Sequence, residues 1–118
     1  MKTDFPKLKD RKISEKEITK EIREYLKLHN IFHWKQWQGL GSAPGVPDII
    51  GIYKTRFLAI EVKTKRGMLS ERQAIFLNNI NAEGGIGFVA RSVEDVVSHL
   101  DIVDRNINAL FALNFRGY

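Results

Sequence analysis

Three ionisable residues stand where apolar strands leave little room for them: Asp48, Glu61 and Lys63, in the stretch "GVPDIIGIYKTRFLAIEVKTKRG" at 45–67. Unpaired charge inside a sheet costs several kcal/mol, which directs attention to what these groups do. Side chains alternate along a strand, so Ala59, Glu61 and Lys63 share one face and the aliphatic Leu58, Ile60 and Val62 the other. Asp48 follows Pro47 at the start of the preceding apolar run, and a hairpin folded at "KTR" brings it beside Glu61 and Lys63. Two carboxylates held together repel unless a cation lies between them. Oxygen ligands of this kind suit Mg²⁺ or Mn²⁺, and the carbonyl of Val62 is a further candidate ligand. A divalent ion there can polarise a phosphodiester and generate hydroxide near neutral pH. Lys63 then positions the water or stabilises the charge that develops. Each part also has a plain reading, because a Glu-x-Lys pair on a strand needs no function and Pro-Asp is ordinary turn chemistry. Their combination on adjacent apolar strands is the specific signal.

The elements that must position these groups follow from local pattern. Ser14 with Glu17 forms a capping box, opening a helix whose apolar face is Ile18, Ile22, Tyr25 and Leu26. "IFHWKQW" alternates as a half-buried strand, and "QGLGSAPGVP" is a loop rich in Gly and Pro, where Gly45 lets the backbone approach the site closely. After the two central strands, Ser70 with Gln73 opens a second helix, "EGG" ends it, and "IGFVA" is a buried strand. Ser92 with Asp95 caps a third helix, and "DIVDRNINALFALNF" reads as a final one. The order α-β-β-β-α-β-α predicts an α/β fold with a small mixed central sheet flanked by helices. It divides into a basic arm at 1–13, a domain at 14–100, and a helix at 101–118 packed on the domain or on a partner copy.

A chain of 118 residues, 43% hydrophobic and 28% charged, is expected to form one globular domain. No apolar run is long enough to span a bilayer, and the basic N-terminus has no apolar core of a secretory signal. Cysteine is absent, which excludes disulfides and thiolate metal sites and fits the cytoplasm. A net charge of +5 favours an anionic partner, with nucleic acid the commonest.

"PD" followed by "EVK" resembles the PD-(D/E)xK nuclease signature of restriction-like endonucleases. Across 14–98, "SEKEITKEIREYL", "GVPDIIGIY", "FLAIEVKTKRGMLSERQAIFLNNINAEGG" and "FVARSVEDV" resemble the virus-type replication-repair nuclease (VRR-NUC) domain. The resemblance implies a restriction-endonuclease-like fold and metal-dependent cleavage of DNA, often branched or flapped, by a homodimer; two sites on one two-fold platform would suit a four-way junction. It implies Asp48 and Glu61 as metal ligands and Lys63 as the catalytic lysine. It also implies a glutamate on the first helix, for which Glu15, Glu17 and Glu21 compete. At 100° per residue Glu15 lies on the stripe of Ile18 and Ile22 while Glu17 points away, so Glu15 is preferred. Gln73 matches the glutamine of the family's S-x-x-Q helix start and is expected near the metal, besides capping its own helix.

Lys35, Lys54, Arg56, Lys65, Arg66 and Arg72 surround the acids in sequence and are the candidates for phosphate contact. Trp34 and Trp37, three apart, cannot share a strand face; one is expected in the core, the other on DNA or in a dimer contact. His29, His33 and His99 have no metal spacing among themselves. The competing reading is a DNA-binding or assembly module that keeps the fold without catalysis. A sequence-specific restriction-type enzyme is the third.

Overall fold

Ser14 caps the first helix as its side chain dictates, in a computed structural model describing residues 12–37 and 44–115, with side chains as far as 108. Its hydroxyl accepts from the Glu17 N–H at 3.1 Å, and the Glu17 carboxylate accepts from the Ser14 N–H at 3.3 Å. Helix α1 then runs Glu15–Leu28 and buries Ile18, Ile22 and Leu26. The arm expected at 1–13 lies outside the described residues save for its last two. The same reciprocal box at Ser70 and Gln73 opens α2, Glu71–Ala82. Four strands lie between and after them: β1 His33–Lys35, β2 Ile49–Tyr53, β3 Arg56–Val62 and β4 Ile86–Ala90. The sheet order is β1-β2-β3-β4, antiparallel except for the parallel β3–β4 pair, so the mixed sheet and the element order agree with expectation.

Both sheet faces carry helices. Leu58, Ile60 and Val62 meet Ile18, Ile22 and Leu26 of α1 and Val96, Leu100 and Val103 in one core. On the opposite face α2 lies over β4 so closely that a Cβ on Gly87 would stand 3.3 Å from Leu77. This is why β3 is buried on both sides from Leu58 to Val62.

The last helix differs from the sequence reading. The third and final helices are one, α3, Val93–Phe115. No Gly or Pro interrupts that span, Asp101 and Arg105 form an i,i+4 ion pair at 3.2 Å, and Val96, Leu100, Val103 and Ile107 carry one apolar stripe onward. Residues 101–107 therefore serve the internal core. The alternative expected for the helix at 101–118, a contact with a partner copy, is untouched by this, and its side chains beyond Asn108 lie outside the described ones. Among the described residues no helix is long and apolar enough to cross a membrane.

Candidate active site

Pro47 decides what surrounds Asp48. Register pairs Ile49 with Ile60, so the next bonding position sets Val62 opposite Pro47, which has no N–H. The Val62 N–H instead donates to Oδ2 of Asp48 at 2.7 Å. The Val62 carbonyl points the same way, toward Pro47, which offers it no donor, and so stands as a candidate ligand oxygen at the end of the ladder. On the other side, the Gln36 N–H donates to the Asp48 carbonyl at 2.7 Å and fixes the backbone that carries the acid.

Glu61 is 3% exposed. Its Oε2 accepts from Gln73 Nε2 at 3.1 Å and lies 3.9 Å from the Lys63 ammonium, an ion pair without a hydrogen bond. Its Oε1 is buried and has no partner. Burial raises its pKa most, followed by the charge of Asp48 and a hydrogen bond to it; Lys63 opposes and Glu15 adds, leaving the group at about 8. As carboxylates neither acid can donate, so Oε1 is orphaned. A single proton between them turns the repulsion into a hydrogen bond. A divalent cation fits the same place: two converging carboxylates, the orphaned Oε1 of Glu61 and the nearby Val62 carbonyl are the kind of hard-oxygen set that Mg²⁺ or Mn²⁺ takes.

Gln73 caps its own helix as expected and also reaches Glu61. Its Oε1 accepts from the Ser70 N–H at 2.9 Å while Nε2 reaches Glu61. Glu17 is committed to its capping box, whereas Glu15 is the helix acid whose charge reaches Glu61. Among the described residues no three His, Cys, Asp or Glu side chains stand together as a metal cage, so Glu15 is not a third carboxylate in direct reach. Gly45 makes the close approach expected of it: a Cβ there would meet the Arg72 carbonyl oxygen at 2.7 Å, and its φ is +84°. Gly45→Ala is expected to lower stability by roughly 2–3 kcal/mol, from left-handed strain plus a backbone clash, as thermal denaturation would read.

The six basic candidates divide. Lys65, Arg66 and Arg72 are exposed on elements that border the acids, whereas Lys35, exposed on β1, is in register with Ile49 and Ile60 and so belongs to the sheet face opposite Glu61. Lys54 and Arg56 are not brought to the acids. They lie at the hairpin, about 20 Å away along β3 at roughly 3.3 Å per residue. Lys54 pairs with Asp104 at 2.6 Å, and Arg56 donates to the carbonyls of Gly84 and Gly85 at 2.8 and 3.2 Å. Both serve to tie elements together. Trp34 and Trp37 are each exposed, so neither fills the core position expected for one of them. Cavities of about 340 and 430 Å³ open at that hairpin end, beside Phe57 and Phe76 and beside Tyr53 and Asp104. Neither cavity includes Asp48 or Glu61.

Arg91 was not anticipated. Its guanidinium donates to the carbonyls of Thr64, Lys65 and Gly67 at 2.6, 3.3 and 2.7 Å. The turn so held packs against the stem of Lys63, since a Cβ on Gly67 would lie 3.4 Å from Lys63 Cδ. The sequence signal was topological: a parallel crossover sets the residue after β4 beside the residues after β3. Arg91→Ala is expected to cost about 1–3 kcal/mol of stability, because three carbonyls lose a charged donor. Urea denaturation would measure it.

The VRR-NUC domain family model matches residues 3–94. Seven solved chains match. One, described as "VRR_NUC domain protein", superposes with a TM-score of 0.63 at 20% identity, over 77% of this chain and 88% of that one. No curated protein matches the chain.

Proposed function

The chain belongs to the VRR-NUC domain family, a nuclease-domain family, and from that premise we propose that it is a metal-dependent DNA endonuclease selective for branched, flapped or four-way structures. The observation that supports this reading is the buried, strongly perturbed Glu61 beside Asp48, with an orphaned oxygen and the Lys63 ammonium next to it. Structural ion pairs do not leave a buried carboxylate oxygen empty, because the unsatisfied group costs about 1–3 kcal/mol.

Asp48, Glu61 and the Val62 carbonyl would hold Mg²⁺ or Mn²⁺, with Glu15 assisting through water. The ion supplies Lewis-acid polarisation of the phosphate and lowers the pKa of water. Gln73 fixes Oε2 of Glu61, so the carboxylate cannot rotate out of line. Lys63 places a positive charge at the same point, where it orients the attacking water and offsets the charge developing on the phosphoryl oxygens. Lys65, Arg66 and Arg72 take neighbouring phosphates. A C₂ pair presenting two sites completes the reading for four-way junctions, because a protomer this small grips little duplex alone.

Incubation of the wild type and Asp48→Ala with junction, flap and linear duplex DNA in Mn²⁺ tests this. Cleavage by the wild type alone, faster on branched DNA, is the expected result. Equal cleavage by both proteins, or none by either, would leave the non-catalytic module as the better account.

A further inference from the structure

The sheet face that carries Glu61 extends beyond the acids. Cross-strand partners share a face, and the register Trp34↔Ile50↔Ala59 sets Trp34 on the face of Glu61 and Lys63. Phe32, two residues earlier, takes the same side. Helix α2 covers this face over β3 and β4; among the described residues its main packing does not include β1 or β2, and although Ile50 is buried there, the side chains toward the edge are open. Phe32 is 67% exposed, Trp34 42% and Ile52 44%, and the two aromatic rings meet edge to face at 5.8 Å. With strands about 4.8 Å apart and a rise of about 3.3 Å per residue, Trp34 stands roughly 12 Å from Glu61. A short single strand covers that distance.

We propose that Phe32 and Trp34 form a stacking platform for unpaired bases of the DNA strand whose phosphate lies at Asp48, Glu61 and Lys63. This rests on the nuclease reading and adds to it the feature of branched DNA that is recognised: bases released from pairing. Charge is complementary: Lys65, Arg66 and Arg72 are exposed on the segments that follow Lys63, while among the described residues the side chains that the register places on the aromatic end of that face, Phe32, Trp34, Ile50 and Ile52, carry no charge. Base faces are open to rings only where the duplex is interrupted, and stacking tolerates any base. Trp34 is also tied to the acid. Its Nε1 donates to Oε1 of Gln36 at 3.3 Å, and the Gln36 N–H donates to the Asp48 carbonyl at 2.7 Å, so Gln36 links the platform to the strand that carries the acid.

The chain has two tryptophans, so Trp37→Phe leaves Trp34 as the sole indole fluorophore. Titrating that protein in EDTA with single-stranded oligo(dT), and with a blunt hairpin duplex of equal length, is the test. Strong quenching by the single strand and little by the duplex is expected. Phe32→Ala with Trp34→Ala should weaken single-strand affinity about ten-fold or more at constant salt, and Trp34→Phe should retain most of it. Unchanged affinity in the double variant, its fold checked by circular dichroism, overturns the platform. So does a double variant that turns a dimer into monomers while each protomer binds DNA as before, which makes the patch a self-association face. EDTA separates the two readings. Quenching without Mn²⁺-dependent cleavage by the wild type removes the nuclease and keeps the platform; cleavage with unaltered binding in the double variant removes the platform alone.

Discussion

Glu61→Gln is expected to abolish Mn²⁺-dependent cleavage and, in the same protein, to raise the melting temperature at pH 8 in EDTA. In the folded state burial and Asp48 raise the pKa of this acid from 4.5 to about 8. The sign follows from linkage: a raised folded-state pKa contributes stability that is fully present below 4.5 and lost as pH rises through about 8. The metal-free wild type should therefore weaken steadily between pH 5 and 8. A glutamine copies the protonated acid. Its oxygen accepts from Gln73, its amide faces Asp48, and no charge is buried. After allowance for relaxation around a coupled pair, the gain at pH 8 is on the order of 2–4 kcal/mol, or roughly 5–15 °C for a domain of this size. Divalent ions should stabilise the wild type and leave the variant unmoved. Melting curves at pH 5.5 and 8, with and without Mn²⁺, check all three statements. A wild type whose melting is flat with pH, or a variant less stable at pH 8, would contradict the buried charge.

Lys63→Met should lower the single-turnover cleavage rate about 10²- to 10³-fold while the protein still folds and binds Mn²⁺. Methionine keeps the buried stem and removes only the ammonium, whose side chain is 14% exposed. The same change has a second readout that a packing role would not move. Lys63 is the group that pulls the Glu61 pKa down. Its loss should carry the pH-dependent weakening of the metal-free protein to higher pH. Mn²⁺ affinity should stay level or rise, as a neighbouring like charge is gone. A variant that loses metal binding along with cleavage would assign Lys63 to the site's architecture and not to the chemistry.

Several of these groups were legible from residue order alone because short-range geometry dictates them. The Ser14–Glu17 and Ser70–Gln73 boxes are three-residue patterns whose hydrogen bonds close locally. Strict alternation placed Glu61 and Lys63 opposite Leu58, Ile60 and Val62, since a strand side chain has only two directions to take. The hairpin at Lys54–Thr55 then forces Asp48 to the end of its neighbour. A helical stripe of 100° per residue singled out Glu15 for the same reason.

Other outcomes needed the assembled sheet. Lys54 and Arg56 are close to Glu61 in sequence yet lie at the far end of β3, because extended chain turns each residue into over 3 Å of distance. Whether α3 would break near residue 100 depended on Val103 and Ile107 finding the core. Arg91 reaches the turn after Lys63 only through the parallel β3–β4 pairing. Trp34 is exposed because, among the described residues, α2 packs on β3 and β4 and does not extend over the edge strand β1. Residue order thus determined what each element is and which way its side chains point. Only packing decided which distant elements meet, because that depends on surface buried between segments far apart in the chain.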